Sequence, residues 1–174
     1  MPPIKGIKQK LNRERYVENH ICKIPLQDGK LAICDEDRMA EVNKYNWRNK
    51  GREGNKYVTG YNGFKGISLH NFLYPKLKLI DHINGNTLDN RSCNLREATI
   101  SQNEMNSKTQ KNNKSGFKGV YWSKHNKKWE VRITINGKSK WLKHFDNPKD
   151  AAIFYDLKAK ETYGEFARLN FPNE

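Results

Sequence analysis

The chain is short of apolar residues, of acids and of paired cysteines. Only 35% of its 174 residues are hydrophobic and the mean hydropathy is −1.01, which excludes a large core and leaves much of the chain on a surface. No apolar run approaches the roughly 20 residues that a membrane-spanning helix needs. The opening MPPIKGIKQKLNRER lacks the apolar middle of a signal peptide. Acids are scarce: 19 Asp and Glu stand against 33 Lys and Arg, a net charge of +14. The three cysteines, Cys22, Cys34 and Cys93, are odd in number and make no C-x-x-C pair. That argues against a disulfide framework and a thiolate zinc site, and fits a reducing cytoplasm.

What is present is charge and aromatic residues. An aromatic content of 11% is too high for a disordered tail. The positive excess implies a polyanionic partner. Nucleic acid is favoured over an anionic membrane, because no basic amphipathic helix stands out.

Residues 1 to about 20 are basic and irregular, an arm. KIPLQDGKLAI reads as a hairpin, and Asp35 as the N-cap of a helix over roughly 36–46 with Met39, Val42 and Tyr45 on its inner side. YVTGYNGFKGISL is a second hairpin around Asn62-Gly63, carrying Lys56 and Lys65 on a face that can lie against DNA. HNFLYP is a short helical turn stopped by Pro75, and LKLIDHIN a strand. Thr99 and Gln102 are spaced as a capping box for a helix starting at Ile100.

Residues 106–115 have linker composition. Beyond them come three strands, the middle one WEVRITI alternating cleanly. A helix follows, with Pro148 at its first position and Gly164 past its end. Between residues 101 and 140 ten Lys or Arg face two acids, Glu104 and Glu130, so linker and sheet are one basic stretch.

The stretch IDHINGNTLDNRSCNLR holds the chemistry. His82 precedes Asn94 by 12 residues, and Asn94 precedes Asn103 by nine. With LHNFLYP ahead of it, this stretch resembles the HNH nuclease family, over roughly residues 68–104 and in its phage branch. Asn103 stands where the family name promises a histidine. The resemblance implies a ββα-metal module that hydrolyses phosphodiesters. His82 would be the general base, since an imidazole with an ordinary pKa of about 6.5 can take a proton from water near neutral pH. Asp81 and Asn103 would be metal ligands. Two oxygen donors suit Mg²⁺ or Mn²⁺, one ion per site, and not zinc. By the same resemblance Asn94 clamps the turn and holds the backbone at His82. Asn86 and Asn90 read as turn residues. Arg91 and Arg96 are candidate phosphate contacts, Cys93 a packing residue and His70 structural; His20, His125 and His144 have no evident partners.

GFKGVYW, KKWEVRI, WLKHF, AAIFYDLKAK and GEFARLNFP resemble the AP2 DNA-binding domain over almost its whole length. In that family a three-stranded sheet enters the major groove. Lys118, Trp122, Lys124, Arg132 and Trp141 hold comparable positions, with Lys108, Lys111 and Lys114 as linker contacts. Trp129 and Phe145 read as core.

The expected fold is therefore α+β. Residues 1–105 hold N-terminal β-hairpins that contact DNA and the HNH nuclease module. Residues 106–115 form a basic linker, and 116–174 a small three-stranded-sheet-plus-helix module. The expected function is a homing-type, site-specific DNA endonuclease similar to those carried in phage introns. It would be a monomer on a long asymmetric duplex, nicking one strand, phage-encoded and active in the cytoplasm of a bacterial host. A chain ending near Met105 is expected to keep the active-site constellation. Two alternatives stand beside it: a DNA-binding regulator whose HNH module is inactive, and an intron RNA-binding protein.

Overall fold

The computed structural model describes residues 15–52, 55–62 and 65–172, without the side chains at 52, 55, 62 and 65. Most of the expected basic arm and the side chain of Lys65 lie outside the described residues. The chain divides into two compact units. One holds the residues up to Lys76 with Asn86–Leu95; the other holds Leu77–Gly85 with Arg96 onward.

The first unit opens with an antiparallel sheet of β1 (Tyr16–Glu18), β2 (Ile21–Pro25) and β3 (Leu31–Asp35). Alternation turns Cys22 and Ile24 of β2, and Ala32 and Cys34 of β3, into the core. The hairpin expected from KIPLQDGKLAI is present, closed by the Leu26 amide donating to the Lys30 carbonyl at 2.8 Å. Cys22 and Cys34 face each other across β2 and β3, fully buried and free. Cys22 and burial together push the Cys34 thiol far above its ordinary range, so it stays protonated. Cys93 is exposed and does not pack as the sequence suggests.

The helix expected over 36–46 is much shorter. Only a 3-10 turn at Glu36–Arg38 and α1 (Met39–Val42) form. Asp35 does not cap them, because its carboxylate accepts from the Tyr74 hydroxyl at 3.0 Å and the Ser92 amide at 2.8 Å. What ends the helix is Trp47, which is buried and donates its Nε1 to the Val42 carbonyl at 2.8 Å. It lies on β4 (Asn46–Arg52), which pairs with β5 (Asn55–Asn62), itself paired with β6 (Lys65–Ser68). The second hairpin is thus present. Asn62 is in the ladder, opposite Lys65, and residues 63 and 64 lie outside the described residues. α2 (Leu69–Leu73) follows, as HNFLYP predicts.

In the second unit β7 (Ile80–His82) and β8 (Leu95–Glu97) form a two-stranded sheet ahead of α3 (Ile100–Met105). The capping box forms: the Thr99 side chain accepts from the Gln102 amide at 3.2 Å, and Gln102 Oε1 accepts from the Thr99 amide at 2.8 Å. Next come β9 (Val120–Ser123), β10 (Lys128–Ile135) and β11 (Lys138–Phe145), with β10 central. Asn136 and Gly137 both take positive φ in the two-residue β10–β11 turn, the geometry that matches strand twist.

α4 (Pro148–Tyr163) starts on an Asn147 cap and covers the sheet. Ala151, Tyr155 and Ala159 are all buried against Val120, Val131 and Ile133, with Trp129 and Phe145 packed alongside as expected. The alternation of WEVRITI holds, with Trp129, Val131, Ile133 and Ile135 on the core side; the register shift opposite Val131 and Arg132 skips Leu142 on β11. Glu130 is nonetheless buried, paired with Arg132 at 2.6 Å and near His144 at 3.8 Å. Lys118 also points inward, its Nζ donating to the carbonyls of Met105 and Ser107. Burial, with Arg168 nearby, pulls its pKa down to about 8.

Gly119 joins β9 to α4. Its φ is +75°, and an added Cβ would lie 2.0 Å from the Tyr155 ring. Gly137 has a similar φ of +73° but open space around it. Gly119→Ala should therefore cost about 2–5 kcal/mol, the sum of left-handed strain and overpacking, and Gly137→Ala only about 1–2. Urea unfolding of both variants checks this; equal costs would show that Tyr155 moves aside freely.

Candidate active site

β7 sets Asp81 and His82 side by side. Both are buried, at 3% and 5% exposure. An ionised carboxylate so enclosed needs compensation, and Asp81 receives it from two flanking elements. From β8, Arg96 donates to Asp81 Oδ2 through Nε at 2.9 Å and Nη2 at 2.8 Å. From the end of α3, Asn106 Nδ2 lies 3.0 Å from both carboxylate oxygens and 2.9 Å from the His82 carbonyl. Oδ2 thus takes three donors and Oδ1 one. Asn103 is partly buried and precedes Asn106 by three residues, so the two share a face of α3.

Asn94 belongs to the first unit, in a 3-10 turn at Ser92–Asn94. It is buried, and its Nδ2 donates to the Asp89 carbonyl at 2.8 Å, tying the loop at both ends. Asn90 is fully enclosed and donates to the Thr87 carbonyl at 3.3 Å, while Asn86 Oδ1 accepts from the Leu88 amide at 3.2 Å; both do turn work. Arg91 grips Asp89 with two contacts, Nε to Oδ1 at 2.8 Å and Nη2 to Oδ2 at 2.7 Å, and Asp89 raises the Arg91 pKa. Arg91 and Arg96, expected at phosphates, both commit their guanidinium groups to carboxylates within the protein.

The remaining expected contacts divide by exposure. Lys108, Lys111, Lys114, Lys124 and Arg132 are exposed, as are Trp122 and Trp141 at 44% and 55%. Lys56 is partly buried, and Lys118 faces inward. Arg132 pairs with Glu130 at 2.6 Å. A cavity of about 560 Å³ opens beside residues 101–114, with Lys108, Lys114, Lys124, Tyr121 and Trp122 on its walls. Two histidines read as unpartnered have partners: His20 meets Glu36 at 2.9 Å, and His144 meets Asn126 at 3.1 Å. His70 is buried against Ser68 at 3.2 Å, in keeping with a structural role.

Among the described residues no three His, Cys, Asp or Glu side chains gather as a metal cluster. The less engaged Oδ1 of Asp81 is an oxygen donor of the kind that hard divalent ions take. Asn106 is the site residue that the sequence reading missed. Its signal was available in SQNEMN, where a second asparagine follows Asn103 at helical spacing.

Residues 74–105 match the family of HNH endonucleases. The chain is 35% identical over 150 residues to an uncharacterised HNH endonuclease of Acanthamoeba polyphaga mimivirus, covering 82% of this chain and 75% of that protein. Protein 3.8 of Escherichia phage T7 is 40% identical over 95 residues, 55% of this chain and 78% of its own length. A 66-residue stretch is 41% identical to dehydration-responsive element-binding protein 2A of Arabidopsis thaliana, covering 35% of this chain and 18% of that protein. No solved structure matches. With the Asp81–His82 strand, the Asn94 turn and the capped α3 falling inside or beside the matched stretch, and with a viral relative aligned over most of both chains, this chain belongs to the HNH endonuclease family.

Proposed function

We propose that this chain is a site-specific, homing-type DNA endonuclease in which His82 is the general base and Asp81 and Asn103 hold one Mg²⁺ or Mn²⁺. The observation that carries the reading is the Asp81 carboxylate. It is buried and turned by a two-point guanidinium grip on Oδ2, and its Oδ1 is left less engaged, as a one-oxygen metal ligand requires. Asn106 fixes the His82 backbone through its carbonyl, so the imidazole is carried on a held strand. His82 takes the proton of the attacking water. Asn94 keeps the intervening loop closed. A bound Mg²⁺ or Mn²⁺ would supply charge relief at the scissile phosphate and its 3′ oxygen.

The ββα arrangement of the HNH module is part of this proposal, supported by β7, β8 and α3 in that order. So is the division of labour: residues 1–105 cut, 106–115 link, with Asn106 at the head of the linker still holding Asp81 and the His82 carbonyl, and 116–174 read duplex DNA as an AP2-like module. The exposed Lys124, Arg132, Trp122 and Trp141, and the short identity with a plant element-binding protein, support the reading role. With one Asp-His pair per chain, a monomer on a long asymmetric target nicks one strand and leaves a 5′ phosphate and a 3′ hydroxyl. Relatives in a virus and a phage fit a phage-encoded enzyme at work in the bacterial cytoplasm. One observation favours the rival reading of a DNA-binding regulator with an inactive nuclease module: Arg96 already neutralises Asp81.

Supercoiled plasmid with Mg²⁺ should give open-circle product without linear product. His82→Ala should slow this by about 10²–10⁴-fold with DNA binding kept. Wild-type enzyme that leaves the plasmid intact with either Mg²⁺ or Mn²⁺ would favour the regulator, and immediate linear product a dimer.

Asn103→Ala should raise the Mg²⁺ concentration needed for half-maximal nicking, and Asn103→His should extend activity toward Ni²⁺ and Co²⁺. Full rate at low Mg²⁺ in the alanine variant would remove Asn103 from the ligand set.

A further inference from the structure

The guanidinium that turns Asp81 is itself held, and by the other end of the chain. The Arg96 side chain is only 12% exposed. Its central carbon lies 3.8 Å from the centroid of the Phe166 ring, a stacking distance for a planar cation. Its third nitrogen, Nη1, donates to the Glu165 carbonyl at 2.8 Å. Two residues on, Arg168 Nη1 donates at 2.9 Å to the carbonyl of Asn84, in the turn that follows His82. That turn closes by the Gly85 amide donating to the His82 carbonyl at 2.7 Å. Gly85 has φ +66°, a backbone conformation that favours glycine, and a Cβ there would sit 2.8 Å from Arg168 Nη1, so a side chain at 85 would displace the guanidinium. The strand of Asp81 and the turn after His82 are thus each gripped by the segment 165–168.

That segment is in turn fixed to the sheet-and-helix module. Asp156, buried on α4, accepts from the amides of Asn170 and Phe171 at 2.8 Å each. Asn170 Oδ1 accepts from the Lys118 amide at 2.7 Å, just ahead of β9. The contacts run without a gap from α4 and β9, through 165–171, to Arg96 and Asp81. A carboxylate that binds a metal with one oxygen is oriented by what holds the other, and loss of such a support typically costs about 10–100-fold in metal affinity or activity.

We propose that Arg96 is a positioning residue that the C-terminal segment Glu165–Arg168 holds against Asp81, so the sheet-and-helix module completes the active site as well as addressing it to DNA. This rests on the nuclease reading above for its catalytic consequence, though not for its structural one. It reverses the expectation that a chain ending near Met105 keeps the active-site constellation, since both grips lie beyond that point.

The test uses the full-length chain with Arg96→Lys, Phe166→Leu and Arg168→Met. Lysine keeps the charge but not the two-point grip; leucine keeps an apolar contact but not the stacking; Arg168 is partly exposed and its loss should leave the fold intact. Three quantities are measured: amide hydrogen exchange of residues 81–85 without DNA or metal, Mn²⁺ affinity by the free-Mn²⁺ resonance signal, and the single-turnover nicking rate at saturating DNA. Exchange at 81–85 should speed in all three variants while amides of β10 stay protected. For Arg96→Lys and Phe166→Leu, Mn²⁺ affinity and nicking rate should fall together by about 10–100-fold, with DNA affinity unchanged. Wild-type exchange at 81–85 in all three variants overturns the proposal, as does an unaltered Mn²⁺ affinity in the two that touch Arg96. Faster exchange in the variants of a chain that cuts nothing would overturn the nuclease reading and leave the positioning contact standing.

Discussion

A carboxylate taken out of water must be answered by a positive partner or give up its charge, and the second unit is arranged around that requirement at Asp81. Arg96 answers it with two bonds to one oxygen. Breaking such an enclosed pair by deleting one partner costs on the order of 3–5 kcal/mol, because the survivor is left without compensation. Asp81 is therefore both the proposed metal ligand and a structural anchor, and Asp81→Asn separates the two roles better than Asp81→Ala does. Arg96 needs a home for its remaining nitrogen and its flat face, and the Glu165 carbonyl and Phe166 ring provide it. The segment 165–168 is thus tied to the site through Arg96, and through Arg168 to the turn after His82.

The basic surplus does different work in different places. Arg91, Arg96 and Lys118 turn inward and hold carboxylates or helix-end carbonyls. Lys108, Lys111, Lys114, Lys124 and Arg132 remain exposed, where cations set affinity for a phosphate backbone and its dependence on salt. In the proposed reading, specificity comes from base edges, and exposed Trp122 and Trp141 with the cations around them are the groups proposed to meet them. Net charge announces the partner, but it does not say which cations meet it.

What was legible in the chain was local. The Thr99–Gln102 capping box, the Pro148 start and Gly164 end of α4, and the period-two run of β10 are each decided within a few residues, and each forms. The Asp81-His82 pair was visible as a motif. What was hidden depends on partners far along the chain. Residues 46–52 show no alternation and become β4 because Trp47 is buried with the Val42 carbonyl in reach. Asp35 looks like a cap and is drawn instead to Ser92, 57 residues away. Arg96 reads as a phosphate contact until its partners appear 15 residues before it and 69 after it. Glu130 reads as an exposed acid on the open face until its partners there, Arg132 and, from β11, His144, appear.

Crystals of the full-length protein soaked with Mn²⁺ and measured at an anomalous wavelength test the central claim most directly. The account predicts one anomalous peak, bound by Asp81 Oδ1 and the Asn103 amide oxygen, with Arg96 still on Asp81 Oδ2 and stacked on Phe166. A peak elsewhere, or Mn²⁺ that displaces Arg96 from the carboxylate, would contradict it.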